Sequence, residues 1–322
     1  MDNQQIVKTE NIKKYFPVKS GVFSRVKSYV KAVDGVDLDI VEGETLGVVG
    51  ESGCGKTTLG KTILKLYDPT EGRIFFNGRD ITPLSSRELR PLRRDMQIIF
   101  QDPYGSLNPR MKVEDIVGEG LYIHNVVPKS ERTDEIRRIL EVVGLREDSL
   151  SRYPHEFSGG QRQRIAIARV LAVRPRFVVC DEPVSSLDVS VQAQIINLLL
   201  SLQEEFGLTY MFISHDLRVV RHISDRVAVM YLGVVVELAG SDELYRSPLH
   251  PYTQALLAAI PIPKPGAKKK TFAISVDIPS PIDPPSGCRF HTRCPIAEER
   301  CSVEVPVLRD VGGSHYVACH LV

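Results

Sequence analysis

The sequence lacks the features that would place it among membrane-spanning, secreted or nucleic-acid-binding proteins. Its 322 residues contain no apolar run near the roughly 18 residues that a membrane-spanning helix needs. Its 41 Lys and Arg nearly balance its 40 Asp and Glu, for a formal net charge of +1, without the basic excess usual in nucleic-acid binders. Residues 1–10 are polar and lack the apolar stretch of a secretory signal. We therefore expect a chain that stays in the cytoplasm and binds no nucleic acid.

The composition is that of a globular protein, but proline and cysteine are unevenly distributed. At roughly 150 residues per domain, the length predicts about two domains. Nine of the 21 prolines lie between Pro248 and Pro285, where three lysines also follow one another at 268–270, and this segment is predicted to be a linker. Four of the six cysteines lie in the last 35 residues. In a reducing compartment such a cluster more often binds a metal than forms disulfides.

Short apolar runs alternate with helical stretches, which predicts an α/β protein with a parallel sheet. The predicted strands cover residues 45–50, 96–100, 177–180, 210–213 and 227–231, and helices are predicted at 56–67 and 193–202. Between about 102 and 173 the apolar residues follow helical periodicity at 113–124, 130–143 and 161–171, so this segment is predicted to be a helical insertion. The basic stretch from 17 to 31 is interpreted as a solvated loop without a functional role.

A phosphate-binding loop is the first motif that carries chemistry. Residues 50–57 read GESGCGKT and fit the pattern G-x4-G-K-[ST] between a predicted strand and a predicted helix. The glycines let successive N–H groups point at one phosphate, and the helix dipole favours the same anion. Lys56 is predicted to reach the β and γ phosphates, and the Thr57 hydroxyl to ligate Mg²⁺. The predicted nucleotide-binding residues in this loop are Gly50, Ser52, Gly53, Cys54, Gly55, Lys56, Thr57 and Thr58, and nothing marks Cys54 as reactive.

Two acidic residues end the apolar strand at 177–180. Asp181 is predicted to hold Mg²⁺, and Glu182 is placed to polarise the attacking water as a general base. Many strands end in acidic turns, so this pattern alone does not identify a magnesium site. The assignment depends on the phosphate loop, whose Lys56 lies 125 residues before Asp181.

About 20 residues before this strand, residues 158–162 read SGGQR. Ser158 can cap the following helix, and the two glycines would let a phosphate approach its N-terminus. The segment resembles the LSGGQ signature of the ATP-binding subunits of ABC transporters, with Phe157 in place of leucine. The resemblance implies a RecA-like P-loop ATPase core with an antiparallel β subdomain, an inserted α-helical subdomain and, here, a small cysteine-rich extension. It also implies that the signature residues Ser158, Gly159, Gly160 and Gln161 act on ATP held by the opposite subunit.

The resemblance assigns further residues in chain order. Phe16 aligns with the aromatic residue that stacks on adenine, although Tyr15 is adjacent. Gln101 matches the glutamine that contacts Mg²⁺ and the attacking water, and Asp188 matches the loop that crosses the dimer interface. His215 matches the histidine that contacts the γ-phosphate. The predicted catalytic residues are therefore Glu182, Gln101 and His215.

Three further segments narrow the branch of the family. Residues 101–109 read QDPYGSLNP, residues 247–257 read SPLHPYTQALL, and residues 287–295 read GCRFHTRCP. Together they resemble the ATPase subunits of oligopeptide and dipeptide importers, a branch that also includes nickel and glutathione importers. The resemblance implies a domain boundary near residue 247, with a nucleotide-binding domain at 1–247 and an extension at 248–322.

The tail cysteines have the spacing C-x5-C-x6-C-x17-C, formed by Cys288, Cys294, Cys301 and Cys319. Four thiolates suit either Zn²⁺ or an iron–sulfur cluster. The spacing lacks the paired C-x2-C of many zinc sites, and in this branch of the family the tail cysteines are associated with a [4Fe-4S] cluster. We therefore expect a [4Fe-4S] cluster with a structural role, and Zn²⁺ is the alternative.

The resemblance also implies the partners. It predicts an ATPase that works as a heterodimer with a second homologous ATPase subunit, bound to two integral membrane permease subunits on the cytoplasmic face of the membrane. An external solute-binding protein would act with them indirectly. The alternatives are a non-transport ABC ATPase of DNA repair or translation, and an adaptor that binds ATP without hydrolysing it. The first usually carries coiled-coil insertions or two cassettes, and this chain has one phosphate loop and no heptad run.

Overall fold

The structure is a computed structural model that describes residues 4–20, 25–260 and 279–322. The chain divides into two compact units. The first unit comprises Met1–Ile40, Thr45–Thr82 and Ile213–Val322, and the second comprises Val41–Glu44 and Pro83–Phe212. The predicted linker from Pro248 to Pro285 is wrong at its start, where Pro251–Ala258 form a helix, and its residues 261–278 lie outside the described residues. The predicted domain boundary near residue 247 stays a prediction.

The described residues form strands and helices in alternation. The strands are β1 (Gln5–Ser20), β2 (Arg25–Val41), β3 (Thr45–Val49), β4 (Glu71–Phe76), β5 (Arg79–Asp80), β6 (Met96–Ile99), β7 (Phe177–Asp181), β8 (Thr209–Ile213), β9 (Arg226–Tyr231), β10 (Val234–Gly240), β11 (Arg309–Asp310) and β12 (Tyr316–Val317). The helices are α1 (Lys56–Ile63), α2 (Ser86–Leu89), α3 (Pro103–Ser106), α4 (Val113–His124), α5 (Arg132–Val142), α6 (Gly159–Leu171), α7 (Val189–Phe206), α8 (Leu217–Ile223), α9 (Ser241–Arg246), α10 (Pro251–Ala258) and α11 (Glu299–Val303). Of the helices in these ranges, none combines the length and apolar character needed to cross a bilayer.

The first unit contains an antiparallel sheet and a mixed sheet. In the antiparallel sheet the strand order is β2-β1-β4-β5, and Thr9 of β1 lies opposite Ile74 of β4. In the mixed sheet β11, β12, β10, β9 and β3 follow one another, and β3 pairs in parallel with β9. All five residues of β3 are buried, as expected for a parallel strand covered on both faces. The predicted antiparallel subdomain is therefore confirmed.

The second unit contains three neighbouring strands in the order β8-β7-β6 and a group of helices. Strands β6 and β7 are parallel, with Met96 opposite Phe177, and β7 is buried throughout. Between β6 and β7 the chain forms only helices and turns, and α4 packs against both α5 and α6. The predicted parallel sheet and helical insertion are both confirmed.

The basic stretch from 17 to 31 was wrongly interpreted as a solvated loop. Apart from residues 21–24, which lie outside the described ranges, it belongs to β1 and β2. Its described side chains are exposed or half-buried, so the basic residues remain accessible to solvent although they belong to strands. A strand with a charged outer face resembles a polar loop when only composition is considered.

Candidate nucleotide-binding site

The phosphate loop connects β3 to α1, in the predicted order of strand, loop and helix. Gly50, Gly53 and Gly55 all have positive φ angles, of 151°, 77° and 109°. A Cβ on Gly50 would lie 2.2 Å from the carbonyl oxygen of Met230, and one on Gly55 would lie 2.0 Å from that of Ala32. At both positions a side chain would clash with a carbonyl oxygen, and the positive φ angle also favours glycine.

Lys56 lies over the loop that precedes it. Its ammonium group is buried and donates hydrogen bonds to the carbonyl oxygens of Gly50, at 2.8 Å, and Glu51, at 3.0 Å. Burial raises the pKa of the neighbouring Cys54 thiol, which favours its protonated form. Thr57 and Thr58 are half-buried in the first turn of α1, and Ser52 and Gly53 are exposed.

The predicted magnesium ligand and general base end β7 in the second unit. Asp181 is buried and is the last residue of the strand. Glu182 follows with a φ angle of 46°, a left-handed conformation that costs roughly 1 kcal/mol or more in a residue with a side chain. The Gln101 side chain donates a hydrogen bond to the Glu182 carboxylate at 3.1 Å. The structure therefore joins two residues of the predicted catalytic set that are 81 positions apart.

The signature residues begin α6. Ser158 caps the helix: its hydroxyl accepts a bond from the Gln161 N–H at 3.4 Å, and the Gln161 side chain accepts one from the Ser158 N–H at 3.0 Å. This reciprocal pair confirms the predicted cap, although the helix begins two residues earlier than predicted. A Cβ on Gly160 would lie 2.5 Å from the Val191 side chain, so a larger residue there would require Val191 to move. Ser158 is exposed at this helix end.

The remaining predicted residues lie at other strand and helix ends. Asp188 is exposed at the N-terminus of α7, and His215 is exposed just after β8. Phe16 is half-buried on β1, with its ring centroid 5.5 Å from that of Tyr67. The Tyr15 hydroxyl donates a hydrogen bond to Asp34, and burial raises the pKa of Tyr15. The assignment of Phe16 rather than Tyr15 as the residue that stacks on adenine stays a prediction.

The four tail cysteines line one small cavity. Burial raises the pKa of Cys288 to about 11, with Cys301, Cys319 and Cys294 close enough to add to the effect. His250 lines the same cavity, caps α10 through its ring nitrogen and has its pKa lowered to about 4 by burial. Over residues 4–20, 25–260 and 279–322, no group of three or more His, Cys, Asp or Glu is arranged to hold a metal ion. The four thiols are thus neighbours, but not in the arrangement that a single ion requires.

Sequence patterns did not predict the contacts between the C-terminal residues and the phosphate loop. Arg293 forms an ion pair with Glu51, and the Tyr252 hydroxyl accepts a hydrogen bond from the Glu51 N–H. Arg289, four residues before Arg293, forms an ion pair with Asp34. These partners lie more than 200 positions apart in the chain, and no local signal marks them.

Known proteins resemble the chain over both the site and the C-terminal residues. The family model of the ABC transporter matches residues 33–185, and that of the oligopeptide/dipeptide transporter C-terminal region matches residues 236–301. The oligopeptide transport ATP-binding protein AppF of Bacillus subtilis is 53% identical, over 99% of this chain and 98% of its own length. A putative peptide import ATP-binding protein of Brucella ovis is 55% identical, over 90% of this chain and 92% of its own.

Solved structures show the same fold. A post-hydrolysis dimer of the ATP-binding cassette MJ0796, bound to ADP and phosphate, has a TM-score of 0.65 and 32% identity, covering 73% of this chain and 98% of that one. The structure of cbiO1 from Clostridium perfringens has a TM-score of 0.65 and 29% identity, covering 76% of this chain and 92% of that one. The chain belongs to the ATP-binding subunits of ABC transporters, in the branch that carries the oligopeptide/dipeptide transporter C-terminal region.

Proposed function

We propose that this chain is the ATP-hydrolysing subunit of an ABC importer of dipeptides or oligopeptides, or of a related small solute such as a nickel chelate or glutathione. The relatives are named for peptide import or oligopeptide transport, and they match nearly the whole chain. The same names favour this function over DNA repair or translation. The observation that carries the proposal is the phosphate loop on β3 and α1, with Lys56 buried over it.

The phosphate loop and α1 would hold ATP. Backbone N–H groups of residues 50–58, the α1 dipole and Lys56 supply positive electrostatic potential to the phosphates. Phe16 would stack on the adenine ring. Thr57, Gln101 and Asp181 offer the oxygen ligands that Mg²⁺ prefers, and bound Mg²⁺ would neutralise charge between the phosphates.

Glu182 is the proposed general base. It would accept a proton from the attacking water, and the Gln101 amide, 3.1 Å from its carboxylate, orients it. His215 would contact the γ-phosphate.

Each complete site would be shared between two subunits. Ser158, Gly159, Gly160 and Gln161 stand at the start of α6, and an exposed helix N-terminus attracts a phosphate held by another chain. Asp188 would lie at the same subunit interface. We propose a heterodimer with a second homologous ATPase, bound to two membrane permeases at the cytoplasmic face of the membrane and served by an external solute-binding protein.

The substitution Glu182→Gln tests the catalytic assignment. It keeps the shape and a hydrogen-bonding group but removes the base, so ATP turnover should fall at least about 100-fold while ATP affinity stays within about threefold. Glu204→Gln on the exposed face of α7 is the matched control and should leave turnover unchanged. Turnover retained in Glu182→Gln would refute the general-base assignment.

We also propose that Cys288, Cys294, Cys301 and Cys319 hold a [4Fe-4S] cluster in the extension of residues 248–322. The donor set fits this group, because four thiols line one cavity. The spacing of these cysteines lacks the paired C-x2-C of many zinc sites, which favours the cluster over Zn²⁺.

Anaerobic purification followed by absorbance, iron and sulfide analysis tests the cluster. We expect about four irons per chain, lost in Cys301→Ser and retained in Cys54→Ser. Stoichiometric zinc without iron would overturn the cluster and leave a zinc site.

A further inference from the structure

Glu51 of the phosphate loop is held by residues of the C-terminal extension. Its backbone N–H donates to the Tyr252 hydroxyl at 2.9 Å. Its carboxylate accepts two bonds from the Arg293 guanidinium, at 2.8 and 3.0 Å. Its carbonyl oxygen accepts the bond from Lys56. One residue therefore links the phosphate-binding lysine to two side chains that lie more than 200 positions later.

The Arg293 side of this contact is buried, whereas the Glu51 side chain is 26% exposed. The Arg293 side chain is only 6% exposed, and its guanidinium lies 5.7 Å from the ring centre of Tyr231 and 5.9 Å from that of Phe290. Tyr252 belongs to the same aromatic group, with its ring 4.7 Å from Tyr231 and 5.4 Å from Phe290. A two-point guanidinium–carboxylate pair fixes orientation as well as distance, and removal of one partner leaves the other charge uncompensated.

A second arginine of the same segment contacts β2, the sheet neighbour of the strand that carries the proposed adenine-stacking residue. Arg289 forms an ion pair with Asp34 and donates to the Leu232 carbonyl oxygen. Asp34 also accepts the hydrogen bond of Tyr15, the neighbour of Phe16. The segment of residues 288–294 thus contacts the phosphate loop through Arg293 and, through Asp34, the base end of the site.

We propose that Arg293 and Tyr252 are positioning residues for nucleotide binding, which hold the phosphate loop in its binding conformation through Glu51. A phosphate loop binds through backbone N–H groups that must all point at one anion, so any freedom of the loop lowers affinity. Loss of either side chain would let the nucleotide-free loop leave that conformation, so affinity rather than the chemical step should change. The proposal rests on the proposed role of this loop in ATP binding.

The test measures the affinity of the full-length protein for Mg²⁺ and AMP-PNP by calorimetry, together with KM and kcat for ATP. Arg293→Gln should weaken AMP-PNP binding roughly tenfold and raise KM in proportion, with kcat at saturating ATP within about twofold. Tyr252→Phe, which removes only the hydroxyl, should weaken binding roughly threefold. The matched control is Arg300→Gln, which breaks an exposed Arg300–Glu304 pair in the same extension and should change neither quantity.

A double-mutant cycle separates positioning from general destabilisation. Because Arg293→Gln and Glu51→Gln break the same pair, the double variant should bind AMP-PNP about as well as Arg293→Gln alone. Losses that multiply in the double variant, or wild-type affinity in Arg293→Gln, would overturn the proposal. If Arg293→Gln does not fold, Glu51→Gln and Tyr252→Phe test the positioning role through the same comparison of KM with kcat. A fall in kcat at unchanged KM in these variants would overturn the proposal.

Lys56→Ala distinguishes this inference from the proposed site itself. If Lys56→Ala binds AMP-PNP like the wild type, the phosphate loop is not the nucleotide site and both proposals fail. If Lys56→Ala abolishes binding while Arg293→Gln retains it, only the positioning role fails.

Discussion

The phosphate loop and the signature loop both precede a helix, but their surroundings differ. The phosphate loop is supported from its own unit, with Glu51 bonded to Lys56, Tyr252 and Arg293. At Gly50 and Gly55 there is no room for a Cβ, because the carbonyl oxygens of Met230 and Ala32 lie too close. Ser158, by contrast, is exposed and bonds to Gln161, three residues away.

This difference follows from what each loop is proposed to do. A loop that holds ATP within its own chain needs a fixed backbone, and distant side chains supply the constraint. A helix N-terminus that binds ATP held by another chain needs a capping residue and must be accessible to that chain. The first loop should therefore be sensitive to substitutions that disturb its packing, and the second to those that remove its hydroxyl.

Replacement of Gly55 by alanine should have the largest effect. The new Cβ would lie 2.0 Å from the Ala32 carbonyl oxygen, so the loop must move, and AMP-PNP affinity should fall by more than about 100-fold, equivalent to about 3 kcal/mol. Gly78→Ala is the matched control, because Gly78 also has positive φ but nothing lies within 4 Å of the new atom. Calorimetric titration measures both variants. Normal affinity in Gly55→Ala would show that the loop is not held by its surroundings.

Ser158→Ala should separate hydrolysis from binding. The variant loses a helix cap worth about 1 kcal/mol of folding free energy and, in the assembled dimer, a donor to the transferred phosphate. Turnover should therefore fall roughly 100-fold, and AMP-PNP affinity of the single subunit should not change. Ser85→Ala removes an equivalent cap from α2 in the same unit, so its melting temperature should fall similarly while turnover is retained. Equal turnover losses in the two variants would assign Ser158 to stability alone.

Phe16→Leu should have the smallest effect of the three. Loss of base stacking should weaken AMP-PNP binding roughly tenfold, whereas Tyr15→Phe keeps the ring, loses the bond to Asp34 and should stay within about threefold. Fluorescence titration with a labelled nucleotide measures the ratio. A larger loss in Tyr15→Phe than in Phe16→Leu would reverse the assignment of the stacking residue.

Most of the elements were predictable because their signals are local. Buried parallel strands such as β3 and β7 are short continuous apolar runs, and α4 has the predicted bounds because its apolar residues recur at helical spacing. Helix α1 ends at Ile63, earlier than predicted. There Lys65 adopts a φ angle of 53° and its ammonium group bonds to Asp68 and to the Thr82 carbonyl oxygen. Such a stop depends on distant groups that periodicity does not reveal.

The site was predictable as a set of residues but only partly as an arrangement. The phosphate loop and the Ser158 cap are encoded within eight residues or fewer. The bond between Gln101 and Glu182 joins two separate strand ends, and the Arg293–Glu51 pair requires the fold of the whole first unit. Charged residues such as Arg289 and Arg293 look like ordinary surface residues in a sequence, and only their burial identifies them as structural.

The 242 positions between Glu51 and Arg293 have a consequence for biosynthesis. The phosphate loop at residues 50–57 is synthesised long before the arginine that completes its contacts. During synthesis, the growing chain therefore carries a phosphate loop that still lacks this support. Full nucleotide affinity should therefore appear only after Arg293 has been added, which would limit ATP binding by chains that end before it.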